Sequence, residues 1–123
     1  MRKTHIDSIT FGGTTWENVE IVLGNYGPGY LAVQLEVFDP EWGFYEPLTT
    51  VSVNLEAYRY TPAAPDAFFV KDYSENAGIL AALQSLGVIE ILPVSPVNFG
   101  WANSLIAHQA RLTGEYALEP TKI

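Results

Sequence analysis

Apolar and polar residues alternate with a period of two through three successive stretches between Trp16 and Glu56. In residues 16–23, Val19, Ile21 and Leu23 oppose Asn18 and Glu20. In residues 30–38, Leu31, Val33, Leu35 and Val37 oppose Gln34 and Glu36. In residues 48–55, Val51, Val53 and Leu55 oppose Ser52 and Asn54, with Glu56 next in the polar series. A strand sends successive side chains to opposite faces, whereas a helix would scatter this pattern around its axis. The breaks are turn signals. Gly24-Asn25-Tyr26-Gly27-Pro28-Gly29 supplies three glycines and a proline, and Asp39-Pro40-Glu41-Trp42-Gly43 supplies another Pro and Gly. Residues 6–11, closed by Gly12-Gly13, add a strand ahead of these three. Consecutive strands with short loops predict an antiparallel meander, wet on one face and buried on the other.

The second half needs a helix to cover that buried face. Residues 61–66 carry two prolines and read as a surface loop, and Ala67-Phe68-Phe69-Val70 reads as a short buried strand. Asp72-Tyr73-Ser74-Glu75 resembles a capping box, which predicts a helix over residues 73–86. Ile79, Leu80, Leu83 and Leu86 form its apolar stripe, and Gly87 is placed to stop it. Gly78 would lie inside this helix, at a cost of about 1 kcal/mol relative to Ala. Residues 88–92 read as a strand. Residues 104–112 fit either period, and the turn-like Asn98-Phe99-Gly100 and Thr113-Gly114 around them favour strand. Residues 115–123 read as a loosely held tail. The expected fold is α+β: one domain over residues 1–123, an antiparallel sheet of four to six strands with one helix packed on one face. Its core would combine Val19, Ile21, Leu31, Val33, Leu35, Val51 and Val53 with Ile79, Leu80 and Leu83.

The charge distribution narrows the function. Net charge is −8, and between Trp16 and Tyr58 stand Glu17, Glu20, Glu36, Asp39, Glu41, Glu46 and Glu56 with no Lys or Arg. Binding phosphates requires clustered Lys and Arg, so direct nucleic-acid binding and attraction to anionic lipid are not expected. A basic protein surface would be attracted, although acidity also serves solubility alone. Absence of cysteine removes disulfides and thiolate metal sites. His5 and His108 have no metal-ligand spacing, and no Gly-x-Ser-x-Gly elbow is present. The Gly24–Gly29 cluster lacks the Lys-Ser/Thr of a phosphate loop. The start lacks an apolar signal core, and no run approaches the roughly 18 apolar residues of a membrane span. The chain is therefore expected to be cytoplasmic, without cofactor, metal or membrane.

Three segments carry a likeness to known sequences. Gly29-Tyr30-Leu31-Ala32-Val33-Gln34-Leu35 is followed by Glu46-Pro47-Leu48-Thr49-Thr50-Val51-Ser52-Val53-Asn54-Leu55, then by Phe69-Val70-Lys71-Asp72-Tyr73-Ser74-Glu75-Asn76-Ala77-Gly78. Together they resemble an uncharacterised family of small proteins borne on phages, plasmids and conjugative elements. The resemblance spans roughly residues 9–92 and implies a mobile-element setting, with no catalytic residues.

The expected function is a non-enzymatic protein that binds and modulates or inhibits a host protein. One form is a counter-defence inhibitor, of the kind directed at CRISPR nucleases, whose acidic face imitates nucleic acid. Glu20, Glu36 and Glu56 would supply that face. Glu41, Trp42, Tyr45 and Glu46 would add an aromatic-acidic patch, because Trp and Tyr are favoured interface anchors. The alternatives are a structural protein forming a homo-oligomer and an enzyme using a Glu36/Glu56 carboxylate pair.

Overall fold

The computed structural model describes residues 2–118. The meander is present. Strands β1 (His5–Phe11), β2 (Thr14–Gly27), β3 (Tyr30–Asp39) and β4 (Phe44–Thr50) pair antiparallel in sequence order as a first sheet. The strand expected over residues 48–55 does not stay in it. It bends at Val51, and β5 (Ser52–Val53) enters a second sheet with β6 (Ala67–Val70), β7 (Ile89–Ile91) and β10 (Gln109–Leu112), in the order β5-β6-β10-β7. Strands β8 (Val97–Phe99) and β9 (Leu105–Ala107) form a separate hairpin. The fold is mostly antiparallel sheet with one helix, but the strands divide between sheets rather than forming the single sheet expected.

Val51 is the hinge of this arrangement. Its N–H donates to Val33 O (2.8 Å) in the first sheet, and its carbonyl accepts from Lys71 N (2.7 Å) beside the second. A strand that changes sheets at a bend is a standard way to make a sheet corner. The bend turns Ser52 inward, although alternation places it outward. Its hydroxyl accepts from Val33 N (2.9 Å) and meets the Tyr26 hydroxyl (2.9 Å), so the burial leaves it hydrogen-bonded.

The helix α1 (Ile79–Ser85) is shorter than expected and touches β1 and β7, the outer strands of the two sheets. Ile79, Leu80 and Leu83 join Ile6, Ile9, Val19, Ile21, Val33, Leu35, Val51, Phe68 and Val70 in the main core. Leu31 is only partly buried against this core, and Val53 packs in the smaller cluster beside it. Asp72 and Glu75 do not form a capping box. Ser74 adopts a left-handed φ of 56°, residues Ser74–Asn76 make a 3₁₀ turn, and Gly78 at φ 90° caps α1. Gly78 therefore stands outside the helix, where its conformational freedom is needed. Asp72 Oδ1 instead accepts from Leu80 N (3.1 Å). The stop at Gly87 is as expected: Gly87 N donates to Gln84 O and Val88 N to Leu83 O, both at 3.0 Å, with Gly87 at φ 72°.

Residues 104–112 are strand, as the flanking turns suggest, but broken at His108 into β9 and β10. Ile106 consequently does not share a face with Ala110 and Leu112; it is exposed while they are buried. The tail is less loose than expected through residue 118. Tyr116 is buried and its hydroxyl donates to His5 O (2.7 Å), while Lys3 N donates to Glu115 O (2.7 Å). The remainder of that expected tail, residues 119–123, lies outside the described residues.

Candidate functional site

The wet face of the first sheet gathers the acids through one irregularity. Ile6 pairs with Val19 and Ser8 with Glu17, and the intervening Asp7 and Asn18 form no ladder pair. Asn18 has φ 55°, a left-handed conformation that Asn tolerates better than most residues. The break resets the alternation. Trp16 and Val19, three apart, both turn to the core, and Glu17 and Glu20 both turn outward.

Glu20 pairs directly with Glu36 across β2 and β3. Side chains directly opposite in an antiparallel pair stand about 5 Å apart at Cβ, and like charges there destabilise the pair. Glu20 is partly relieved: Thr4 Oγ1 donates to its Oε2 (2.8 Å), and His5 Nδ1 lies 3.1 Å from its Oε1. The other His5 nitrogen lies 3.2 Å from Asp7 Oδ1. Glu36 has neither a hydrogen-bond nor an ion-pair partner among the described residues. Its other neighbour is Pro47 on β4, followed along the same face by Phe38 and Tyr45, whose rings meet edge to face at 5.2 Å.

A bulge at Leu48 sets this register. Leu35 pairs with Thr49 and Glu36 with Pro47, leaving Leu48 as the extra residue. Buried Asn76 secures the bulge from below. Its Oδ1 accepts from Thr49 Oγ1, and its Nδ2 donates to Thr50 O (2.7 Å).

The β3–β4 turn projects past the core. Asp39 Oδ1 accepts from Glu41 N (2.9 Å) and Trp42 N (3.3 Å), so this carboxylate builds the turn. Beyond it Trp42 is 71% exposed, with Phe44 and Tyr45 also exposed. Glu41 lies in the turn. Glu46 pairs with Val37 and so stands on the opposite side of the ladder from Glu36, though still exposed.

Glu56 does not join Glu20 and Glu36. It opens a 3₁₀ turn, Glu56–Tyr58, after β5 and beside the smaller core. Strand alternation continues to Glu56 in sequence, but β5 ends at Val53, so the face it was assigned to is not there. Glu17 takes its place on the acidic face.

The basic residues explain why that face is uncompensated. Lys71 pairs with Glu75, Arg111 spans Asp66 (3.9 Å) and Glu90 (3.6 Å), and Lys3 reaches Glu115 (4.0 Å). Every acid in these pairs lies outside residues 16–58. Among the described residues no Lys or Arg comes within 4.0 Å of any of the seven acids of that stretch.

A cleft of about 240 Å³ lies between the β1–β2 turn and the bulge, lined by Phe11, Trp16, Leu48, Thr49 and Glu75. Glu75 is the one ionisable residue of its lining. The hydrogen bond from Lys71 holds its carboxyl below the usual carboxylate range. Among the described residues, no group of three or more His, Asp and Glu is placed to hold a metal, and no helix is long and apolar enough to cross a membrane. No family model, curated protein or solved structure matches the chain.

Proposed function

We propose that this chain is a small, non-enzymatic binding protein of a mobile genetic element that modulates or inhibits a host protein through the acidic face of its first sheet. The observation that carries this reading is the Glu20–Glu36 pair, two carboxylates directly opposite each other with no Lys or Arg within 4.0 Å among the described residues. Such a pair is mildly destabilising, and a basic ligand would relieve it. Toward the β3–β4 turn, Glu17 extends the negative surface on β2, and Phe38 and Tyr45 provide apolar contact on β3 and β4. A rigid sheet bearing fixed anions attracts a basic groove and speeds encounter with it. The partner class is therefore a host protein whose own ligand is polyanionic, which makes the chain a nucleic-acid mimic and a candidate counter-defence inhibitor.

The test is capture from host lysate on immobilised protein at low salt, followed by challenge with short DNA or RNA duplexes. Captured proteins released by duplex at moderate salt support the mimic. Capture insensitive to both salt and nucleic acid argues against an acidic-face mechanism.

A further inference from the structure

Twenty consecutive residues, 91–110, contain no Asp, Glu, Lys or Arg, in a chain of net charge −8. This stretch is not an interior segment. It includes the β8–β9 hairpin, whose tip holds Trp101 at 91% exposure, with Ile106 and Val94 also exposed.

The hairpin is firmly seated. Phe99 is buried with its ring 5.6 Å from Tyr58 and 6.0 Å from Tyr73, and Tyr60 donates its hydroxyl to Asn98 O (3.1 Å). Gly100 has φ 79°, and an added Cβ would crowd Leu105 at 3.2 Å. Ala102 and Asn103 both hold left-handed φ values, 55° and 52°. The tip thus presents its indole on a backbone already ordered, which lowers the entropic cost of an encounter. Tryptophan is among the side chains most enriched as interface anchors.

Charge identifies the occupant. A basic partner would find nothing to pair with in residues 91–110. A second copy of this chain would be repelled by most of the surface but not here. The rim adds self-complementarity. Tyr58 belongs to the 3₁₀ turn that begins at Glu56 and is followed by Arg59; both charged residues are exposed, and neither has an ion-pair partner among the described residues. An isologous contact places each residue of one copy against its counterpart's neighbour, so one unpaired acid and one unpaired base beside a neutral patch can satisfy each other twice across a two-fold axis. We infer that the β8–β9 hairpin is a self-association surface: Trp101 packs against the second copy, and Glu56 of each copy pairs with Arg59 of the other.

Sedimentation equilibrium of the whole chain from micromolar to millimolar concentration tests this. The expected result is a monomer–dimer equilibrium. Trp101→Ala should raise the dissociation constant about 30-fold or more, the size of an interface hot spot, with an unchanged melting temperature because the indole contributes little to the fold. Glu56→Arg or Arg59→Glu alone should weaken the dimer, and the two together should restore it. Glu20→Gln/Glu36→Gln should leave it unchanged, which separates this contact from the acidic face. A wild-type chain that stays monomeric at millimolar concentration, a dimer indifferent to Trp101→Ala, or a charge swap that fails to restore association would each overturn the inference.

Discussion

Truncating Asn76 to Ala is expected to damage the fold more than truncating any other polar side chain of the described residues. Asn76 is fully buried and makes two side-chain hydrogen bonds, accepting from Thr49 Oγ1 and donating to Thr50 O. Both partners directly follow the bulge that places Pro47 opposite Glu36. Each bond contributes about 1 kcal/mol net, and truncation also removes a packed side chain and strips partners from groups with little access to water. The expected loss is about 2–3 kcal/mol, a sizeable share of the roughly 5–15 kcal/mol that holds a domain together. Thr49→Val deletes one bond and should cost about 1 kcal/mol. Asn76→Asp keeps the acceptor but loses the donor and buries a charge, so it should cost at least as much as Asn76→Ala. Urea denaturation gives each value, and the Asn76/Thr49 double-mutant cycle should show coupling above about 0.5 kcal/mol. A loss below about 0.5 kcal/mol for Asn76→Ala, the range of surface changes, would refute the role assigned to this side chain.

Leu35→Ala, in the middle of a central strand and 1% exposed, should cost about 2–5 kcal/mol, whereas Trp42→Ala should cost less than about 0.5 kcal/mol; denaturation curves of both check which side of the fold each occupies. Glu36→Gln should stabilise the protein by a few tenths to about 1 kcal/mol at low salt by relieving its repulsion from Glu20, and the gain should shrink as salt rises, in a thermal-denaturation series at graded ionic strength. Burial raises the pKa of Tyr73 above the ordinary tyrosine value of about 10, against the opposing effect of Lys71. The native state therefore holds its proton after the unfolded chain has lost it. The stabilising contribution is complete below the unfolded value and is lost as pH rises toward the raised one. Tyrosinate absorbance should show a late-titrating contribution that Tyr73→Phe removes, and that variant should keep more of its stability at alkaline pH.

What was legible in the sequence is what one face of one element decides. Alternation placed β2 and β3 within a few residues because each has one dry and one wet side, and Gly87 marked the helix end because a left-handed stop favours glycine. The corner at Val51 was not legible, since Val51, Ser52 and Val53 alternate without interruption while the strand changes sheets. Only the tertiary partners Tyr26 and Val33 make a buried Ser52 tolerable. The same corner removed Glu56 from the acidic face. Glu17 was placed on it by the left-handed Asn18, which single-sequence alternation does not register. The capping-box pattern at Asp72 misled because Asp72 caps from eight residues away, through Leu80. Trp101 did leave a trace: an uncharged run with a tryptophan directly after a glycine, in an otherwise acidic chain.

The acidic face is tested most directly by the association rate of a captured host partner with wild-type protein and with the Glu17→Gln/Glu20→Gln/Glu36→Gln variant across a range of salt. Gln keeps the shape of each side chain and an acceptor oxygen for Thr4 at position 20, so the variant should fold normally. Wild-type association should be fast and fall steeply with salt; the variant should be at least about tenfold slower at low salt, with a shallower slope, while Glu56→Gln behaves as wild type. Equal rates and equal salt slopes for wild type and the triple variant would contradict an acidic-face function.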